Sequence, residues 1–242
     1  MAALGQELKK LSRTICLIMD RVSGVEAGME SLDATLYFHL STHPCLLAKL
    51  SQLRSSRTTA RDTKSLVHEI TLILACAALS TALTPISSGQ EDITPLNHPY
   101  IPTTTTPSLA LVPILRSGLA MLDALQLLLP TAVPVHHLGL YREPSTLQPV
   151  EYYNNLPYHA PPPHAHTNTG VPEIAILLDP IIATGGTSAA AIQTLLEWGV
   201  RKVVVVAVLG TVEGVGRAAG VVAEGGWGGG GEGGGGLGWG GG

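Results

Sequence analysis

From Leu109 onward, short apolar runs of strand length alternate with helix-length stretches. Leu109 to Leu115 is the first run, and a helical pattern opens at Ser117-Gly118 and continues to Leu129, where Pro130 stops it. Val135 to Tyr141 reads as a second strand and Ile174 to Leu178 as a third. Ser188 to Trp198 follows as a helix, and Lys202 to Val208 as a fourth strand. Strands separated by helices indicate βαβ units and a parallel sheet, with ligands expected at the edge where the strands end. Upstream, Leu66, Ile70, Leu72, Ile73, Leu74 and Ala77 mark an apolar helix over Thr63 to Leu83, with Asp62 or Thr63 as its N-cap. Pro85 and Ser87-Ser88-Gly89 end it. Residues 84–107 read as a Pro- and Thr-rich excursion, and residues 1–38 as an N-terminal extension made of one helix and a connector. A Pro- and His-rich insert occupies 159–170 and is expected to be flexible. The segment 216–242 reads as a disordered tail, since 14 of its last 18 residues are glycine.

Composition narrows the class. The chain is 45% hydrophobic but only 4% aromatic, so its core must be built from Leu, Val, Ile and Ala, which suits strands covered on both faces. The net charge is -4 and no basic block is present, so a nucleic-acid partner is not expected. Arg54, Arg57, Arg61 and Lys64 gather locally and read as a solvated face. The three cysteines, Cys16, Cys45 and Cys76, form neither a disulfide framework nor a metal pattern, which fits a reducing compartment. Charges interrupt the N-terminal apolar stretch, and the uncharged segment Ile70 to Leu83 is too short for a membrane span. A cytoplasmic protein without a membrane partner is expected.

The chemistry concentrates in Asp179-Pro-Ile-Ile-Ala-Thr-Gly-Gly-Thr187. An apolar strand ends there at a carboxylate, and the next helix opens on two glycines flanked by threonines. Amides at a helix start lack intrahelical acceptors, and the helix dipole places partial positive charge there. Glycine lets that backbone approach an anion closely, so a phosphate monoester is the natural guest. Asp179 stands where a carboxylate could accept hydrogen bonds from a ribose diol. The loop is not a P-loop, because no Gly-Lys-Ser/Thr follows, and it lacks the three spaced glycines of a dinucleotide fingerprint.

This loop resembles the 5-phosphoribosyl 1-diphosphate (PRPP) signature of type I phosphoribosyltransferases. Pro180, where most of that class has a second acidic residue, resembles the uracil phosphoribosyltransferases in particular. Leu111-Val-Pro-Ile-Leu-Arg-Ser-Gly118 is similar to that family's pyrophosphate loop, and Leu138 to Pro157 to its arm. His43-Pro44 through Leu79 is similar to its N-terminal segment and long helix. The resemblance implies a phosphoribosyltransferase domain over residues 39–215, an α/β fold with a type I phosphoribosyltransferase-like parallel sheet flanked by helices, incomplete at the C-terminus. It assigns Arg116 and Arg142 to the pyrophosphate of PRPP. Asp179, Pro180, Ile181, Ile182, Ala183, Thr184, Gly185, Gly186 and Thr187 are assigned to the ribose 5-phosphate. Arg116, Arg142 and Asp179 are the residues it makes catalytic. A Mg2+ ion would arrive with PRPP rather than reside on the protein, uracil would be the acceptor and UMP the product. The family also suggests GTP as an activator and a homodimer or homotetramer. A surface charge at a strand end is the bland alternative for Arg116, and an ion pair with Glu143 or Glu151 for Arg142.

The pattern departs from the family at its end. Thr211-Val-Glu-Gly214 is similar to the family's Pro-Glu-Gly turn, but no Gly-Asp-Ala-Gly-Asp segment follows to read uracil, so the uracil-binding residues are unassigned. A flexible glycine tail fixes no donors or acceptors for a base. The expectation is weak PRPP binding and slow or absent turnover, and the alternative is a catalytically impaired PRPP- or nucleotide-binding regulatory homologue. Transfer to a different base is disfavoured by Pro180 and the arm. His159, His164 and His166 read as part of a flexible loop, His136-His137 as strand residues with at least one in the core, and Trp227 and Trp239 as tail residues without fixed geometry.

Overall fold

A computed structural model describes residues 13–23, 32–143, 145, 148–157 and 170–224. Its main sheet runs in the order β2 (Leu32–Leu40), β1 (Arg13–Ser23), β12 (Lys202–Gly210), β10 (Ile174–Leu178), β7 (Leu109–Leu115), β8 (Leu138–Arg142) and β9 (Pro149–Asn154). The centre is β12 (Lys202–Gly210), β10 (Ile174–Leu178), β7 (Leu109–Leu115) and β8 (Leu138–Arg142), each parallel to its neighbour. The sequences of β12, β10 and β7 are nearly continuous apolar runs because both faces are covered. In β12, Val204, Val206 and Val208 join one core cluster, while Val203, Val205 and Ala207 join the other. Ile174, Ile176 and Leu178 alternate in the same way with Ala175 and Leu177 in β10, as the two-residue period of a strand requires.

One face is closed by α1 (Pro44–Leu53), α2 (Ala60–Ala82) and α3 (Leu119–Leu128) through Leu46, Ile70, Leu74, Met121 and Leu125. The other is closed by α4 (Gly186–Trp198) and α5 (Val212–Glu224) through Ala191, Ile192, Leu195, Val215 and Ala218. By length and composition alone α2 is long and apolar enough to cross a bilayer, with a mean hydropathy of 1.6, although its uncharged part begins only at Ile70. The charged first turns count toward its length, and the helix buries Ile70, Leu74, Ala75 and Ala78 completely in the core.

Several elements differ from the sequence expectation. The N-terminal extension holds no helix among its described residues but two strands, β1 (Arg13–Ser23) and β2 (Leu32–Leu40). β1 pairs antiparallel with β12 and β2 with β1. Thr14, Ile15, Ile18 and Val22 are β-branched, and the apolar positions between Ile15 and Met19 are consecutive rather than helically spaced. A domain boundary at 38/39 therefore cuts through β2. The boundary at 215/216 cuts through α5, whose residues 216–224 are helical rather than disordered, with Ala218 and Ala219 buried. Packing of that face overrides the poor helix propensity of Gly216 and Gly220. Residues 225–242 and all but Gly170 of the 159–170 insert lie outside the described residues. The 84–107 excursion forms nested antiparallel pairs, β3 (Thr84–Ser87) with β6 (Thr103–Thr106) and β4 (Asp92–Ile93) with β5 (Pro99–Tyr100). β9 (Pro149–Asn154) pairs antiparallel with β8 to make the arm.

The N-cap of α2 is Thr59, not Asp62 or Thr63. Its hydroxyl oxygen accepts from the Asp62 amide at 3.2 Å and donates to the Asp62 carboxylate at 2.7 Å, so Asp62 serves as the third helical residue of a capping pair. Thr59→Ala should therefore destabilise the chain by about 1 kcal/mol, and Thr63→Ala by only a few tenths, in urea denaturation at neutral pH. Equal effects of the two substitutions would contradict the cap assignment.

Candidate functional site

The four central strands run in one direction, so the loops after β7, β8, β10 and β12 leave the sheet at the same edge. The chain passes from β7 outward to β8, then returns to the opposite side of β7 as β10. This reversal is a topological switch point, where two loops diverge and leave a crevice. A cleft of about 200 Å³ lies there. Ile114, Leu115 and Ser117 contribute from the end of β7, Leu140 and Arg142 from β8, and Asp179, Ile181, Ile182, Ala183, Gly185, Thr187 and Ser188 supply the remaining wall.

Asp179 is the first residue past β10 and is 7% exposed. Its carboxylate accepts from the Ser188 hydroxyl at 3.0 Å and from the Ile181 amide. Burial pushes its pKa up to about 6, opposed by those two hydrogen bonds and by the charge of Arg142. Next come Ile181–Ile182, which form β11 beside Leu209 and Gly210 of β12. Ile182 is buried and Ile181 exposed, and both line the cleft. The Pro180 carbonyl accepts from the Val208 and Leu209 amides at 3.1 and 3.0 Å, which ties the loop to β12.

The loop then turns at Gly185, whose φ of 74° is left-handed and suits glycine. Gly185 also packs backbone to backbone on Gly214, and a Cβ at either position would overlap a carbonyl of the other segment. Thr211 secures this contact. Its amide donates to the Ile182 carbonyl at 3.0 Å, its hydroxyl donates to the Ala183 carbonyl, and the same hydroxyl oxygen accepts from the Gly214 amide at 2.8 Å. Ala189 is the first residue of α4 to reach a helical acceptor, the Gly185 carbonyl at 2.8 Å. The amides of Gly186, Thr187 and Ser188 therefore open the helix toward the loop, the arrangement that attracts an anion.

Of the residues singled out from sequence, Arg142, Asp179, Ile181, Ile182, Ala183, Gly185 and Thr187 come together around the cleft. Pro180 is buried behind it, Thr184 is exposed at the loop, and Gly186 forms the first turn of α4. Arg116 is exposed between two cleft residues, Leu115 and Ser117, and follows a cis peptide. Its own side chain is not part of the wall. Neither Glu143 nor Glu151 holds Arg142 away from the cleft; Glu151 instead accepts from the Asn154 amide group at 3.3 Å. Sequence reading gave no site role to Ser188, and it quoted Ser117 and Thr211 only as members of longer family-like segments. Ser188 was signalled only by following Thr187 directly, one residue into the helix start.

The other candidates lie elsewhere. His136 stacks edge-on against Trp198 with ring centres 5.2 Å apart, and burial lowers its pKa. His159, His164, His166, Trp227 and Trp239 are outside the described residues.

Comparison with known proteins agrees with this geometry. A family model described as uracil phosphoribosyltransferase matches residues 40–224, which includes all of α5. A putative uracil phosphoribosyltransferase, urg2, of Schizosaccharomyces pombe is 35% identical over 75% of this chain and 72% of its own length. A uracil phosphoribosyltransferase of Roseiflexus castenholzii is 39% identical over 73% of this chain and 77% of its own. Among solved structures, the AQ2163 protein of Aquifex aeolicus superposes with a TM-score of 0.59 at 27% identity, over 73% of this chain and 78% of that one. With the loop from Asp179 to Thr187, the arm and the opening helix all inside the matched span, the chain belongs to the uracil phosphoribosyltransferase family.

Proposed function

We propose that the chain binds PRPP in the cleft at the sheet edge and transfers its phosphoribosyl group to N1 of uracil, giving UMP and diphosphate. The observation that carries this reading is the convergence of a buried carboxylate, a helix start with outward amides and a guanidinium in one cleft. The α4 amides and the Thr187 hydroxyl hold the 5-phosphate, and Asp179 accepts from the ribose hydroxyls. Arg142, with Arg116 swinging in from its exposed loop, binds the diphosphate through paired guanidinium hydrogen bonds.

Among the described residues no group of three or more His, Cys, Asp or Glu could hold a metal by itself. Asp179 is the carboxylate of the cleft that would help hold a Mg2+ ion arriving with PRPP, and the ion would supply charge neutralisation for the leaving diphosphate. In the reaction the C1–O bond to diphosphate breaks, an oxocarbenium-like sugar forms, and N1 of uracil bonds to C1 as its proton is lost to solvent. No enzyme nucleophile is required. Positioning and stabilisation of the departing diphosphate supply the rate. Cytoplasmic placement is part of the same proposal, and exposed Tyr141, Tyr152 and Tyr153 on the arm favour a homo-oligomer.

Calorimetric titration should show saturable PRPP binding, and Arg142→Ala should weaken it by about tenfold or more. In place of the slow or absent turnover expected from the sequence, chromatography of a reaction with PRPP, Mg2+ and uracil should show UMP. PRPP binding without UMP would favour the impaired regulatory reading, and absence of PRPP binding would overturn both.

A second expectation follows from the carboxylate. Asp179 must be ionised to accept from both ribose hydroxyls, so PRPP affinity should fall as pH drops through about 6. Stability moves the opposite way. A carboxyl whose folded pKa is raised favours the fold below its unfolded pKa, near 4, and that contribution is lost as pH rises through about 6. Asp179→Asn should thus lose PRPP binding yet gain roughly 2 kcal/mol over the native chain between pH 4 and 7, read by thermal unfolding across pH. An unfolding midpoint that tracks the native one at every pH would refute it.

A further inference from the structure

We infer that Arg217 is a further binding residue of this site, held by α5 at the opening turn of α4 to pair with the 5-phosphate of the bound substrate. The inference rests on the PRPP reading above and adds to it a residue outside the phosphate loop. Arg217 is exposed on the second turn of α5. Its guanidinium packs over Gly186, where an added methyl group would sit 3.8 Å from Cζ and 3.9 Å from Nη1. Gly186 is the first residue of α4, so the guanidinium stands beside the amides that face an anion.

That position is electrostatically unfavourable without an anion. Two helix starts, α4 at Gly186 and α5 at Val212, meet here, and each carries partial positive charge. An arginine four residues after a glutamate on a helix has a ready partner, and Glu213 stands four residues before Arg217. Arg217 forms no ion pair with Glu213 or with any other described acidic group, and its guanidinium lies against Gly186 instead. A phosphate dianion at the α4 start resolves the conflict, because it faces the α4 amides and offers oxygens to the guanidinium fork.

The position of Arg217 is set by the same contacts that shape the loop. Thr211 bonds to Ile182 and Ala183, and Gly214 packs on Gly185, so the start of α5 cannot shift relative to α4 without breaking the phosphate loop. Arg217 follows one turn after Gly214. Val215 and Ala218, on the buried side of α5, fix the rotation that turns Arg217 toward Gly186.

The test separates the two ends of PRPP. Affinities of the native chain and of Arg217→Ala for ribose 5-phosphate and for inorganic diphosphate are measured by calorimetry in magnesium buffer, with thermal unfolding as a control. Arg217→Ala should weaken ribose 5-phosphate by about tenfold, while diphosphate affinity and the unfolding midpoint stay at native values. Native affinity of the variant for ribose 5-phosphate would overturn the role of Arg217 and leave the PRPP reading standing. Equal weakening of both ligands would also overturn it, as a general defect of the cleft. If the native chain binds neither ligand, the functional reading fails and this inference fails with it.

Discussion

Everything in this molecule hangs on a parallel sheet that is dry on both faces. β7, β10 and β12 each send alternate side chains into two separate clusters, with almost no exposed residue between them. Sliding such a strand by one residue would exchange the side chains of its two close-packed faces, so its register is fixed. Their ends are therefore fixed relative to each other. The first polar residue past β10 must emerge at the rim of the core, and that residue is Asp179.

Burial at that rim has two consequences of opposite sign. It raises the free energy of the ionised Asp179 carboxylate, and it removes competing water from the place where a sugar would bind. Ser188 and the Ile181 amide offset part of the cost by donating to the carboxylate, and Arg142 by its charge. The site is thus a locally destabilised spot on a rigid scaffold, as a preorganised binding site generally is.

The loop from Asp179 to Thr187 is not self-supporting. Its shape depends on α5, through the mutual contact of Gly185 and Gly214 and through Thr211, whose single hydroxyl serves both segments. A helix after the last strand of the parallel sheet thereby becomes part of the loop's geometry. This also explains why glycine-rich sequence near residue 216 remains helical: the buried face of α5 and its anchored start outweigh the intrinsic preference of its glycines.

Sequence alone determined the parallel α/β core, because continuous aliphatic runs of strand length have few other solutions, and it located the loop from Asp179 to Thr187 through chemistry that needs that order of residues. It also determined the breaks, since Pro and Gly act locally on the backbone. Tertiary structure decided what depends on distant partners. The strands at Arg13–Ser23 and Leu32–Leu40 form because β12 offers an open edge, which no local pattern reveals. The N-cap at Thr59 was hidden by equally good polar residues three and four positions later. Arg116 and Arg142 looked alike in sequence, and only the strand ends place Arg142 in the cleft wall while Arg116 stays outside it. Thr211, Ser188 and Arg217 acquire their roles from elements that meet only when the sheet has formed, so their significance is a property of the fold rather than of any motif.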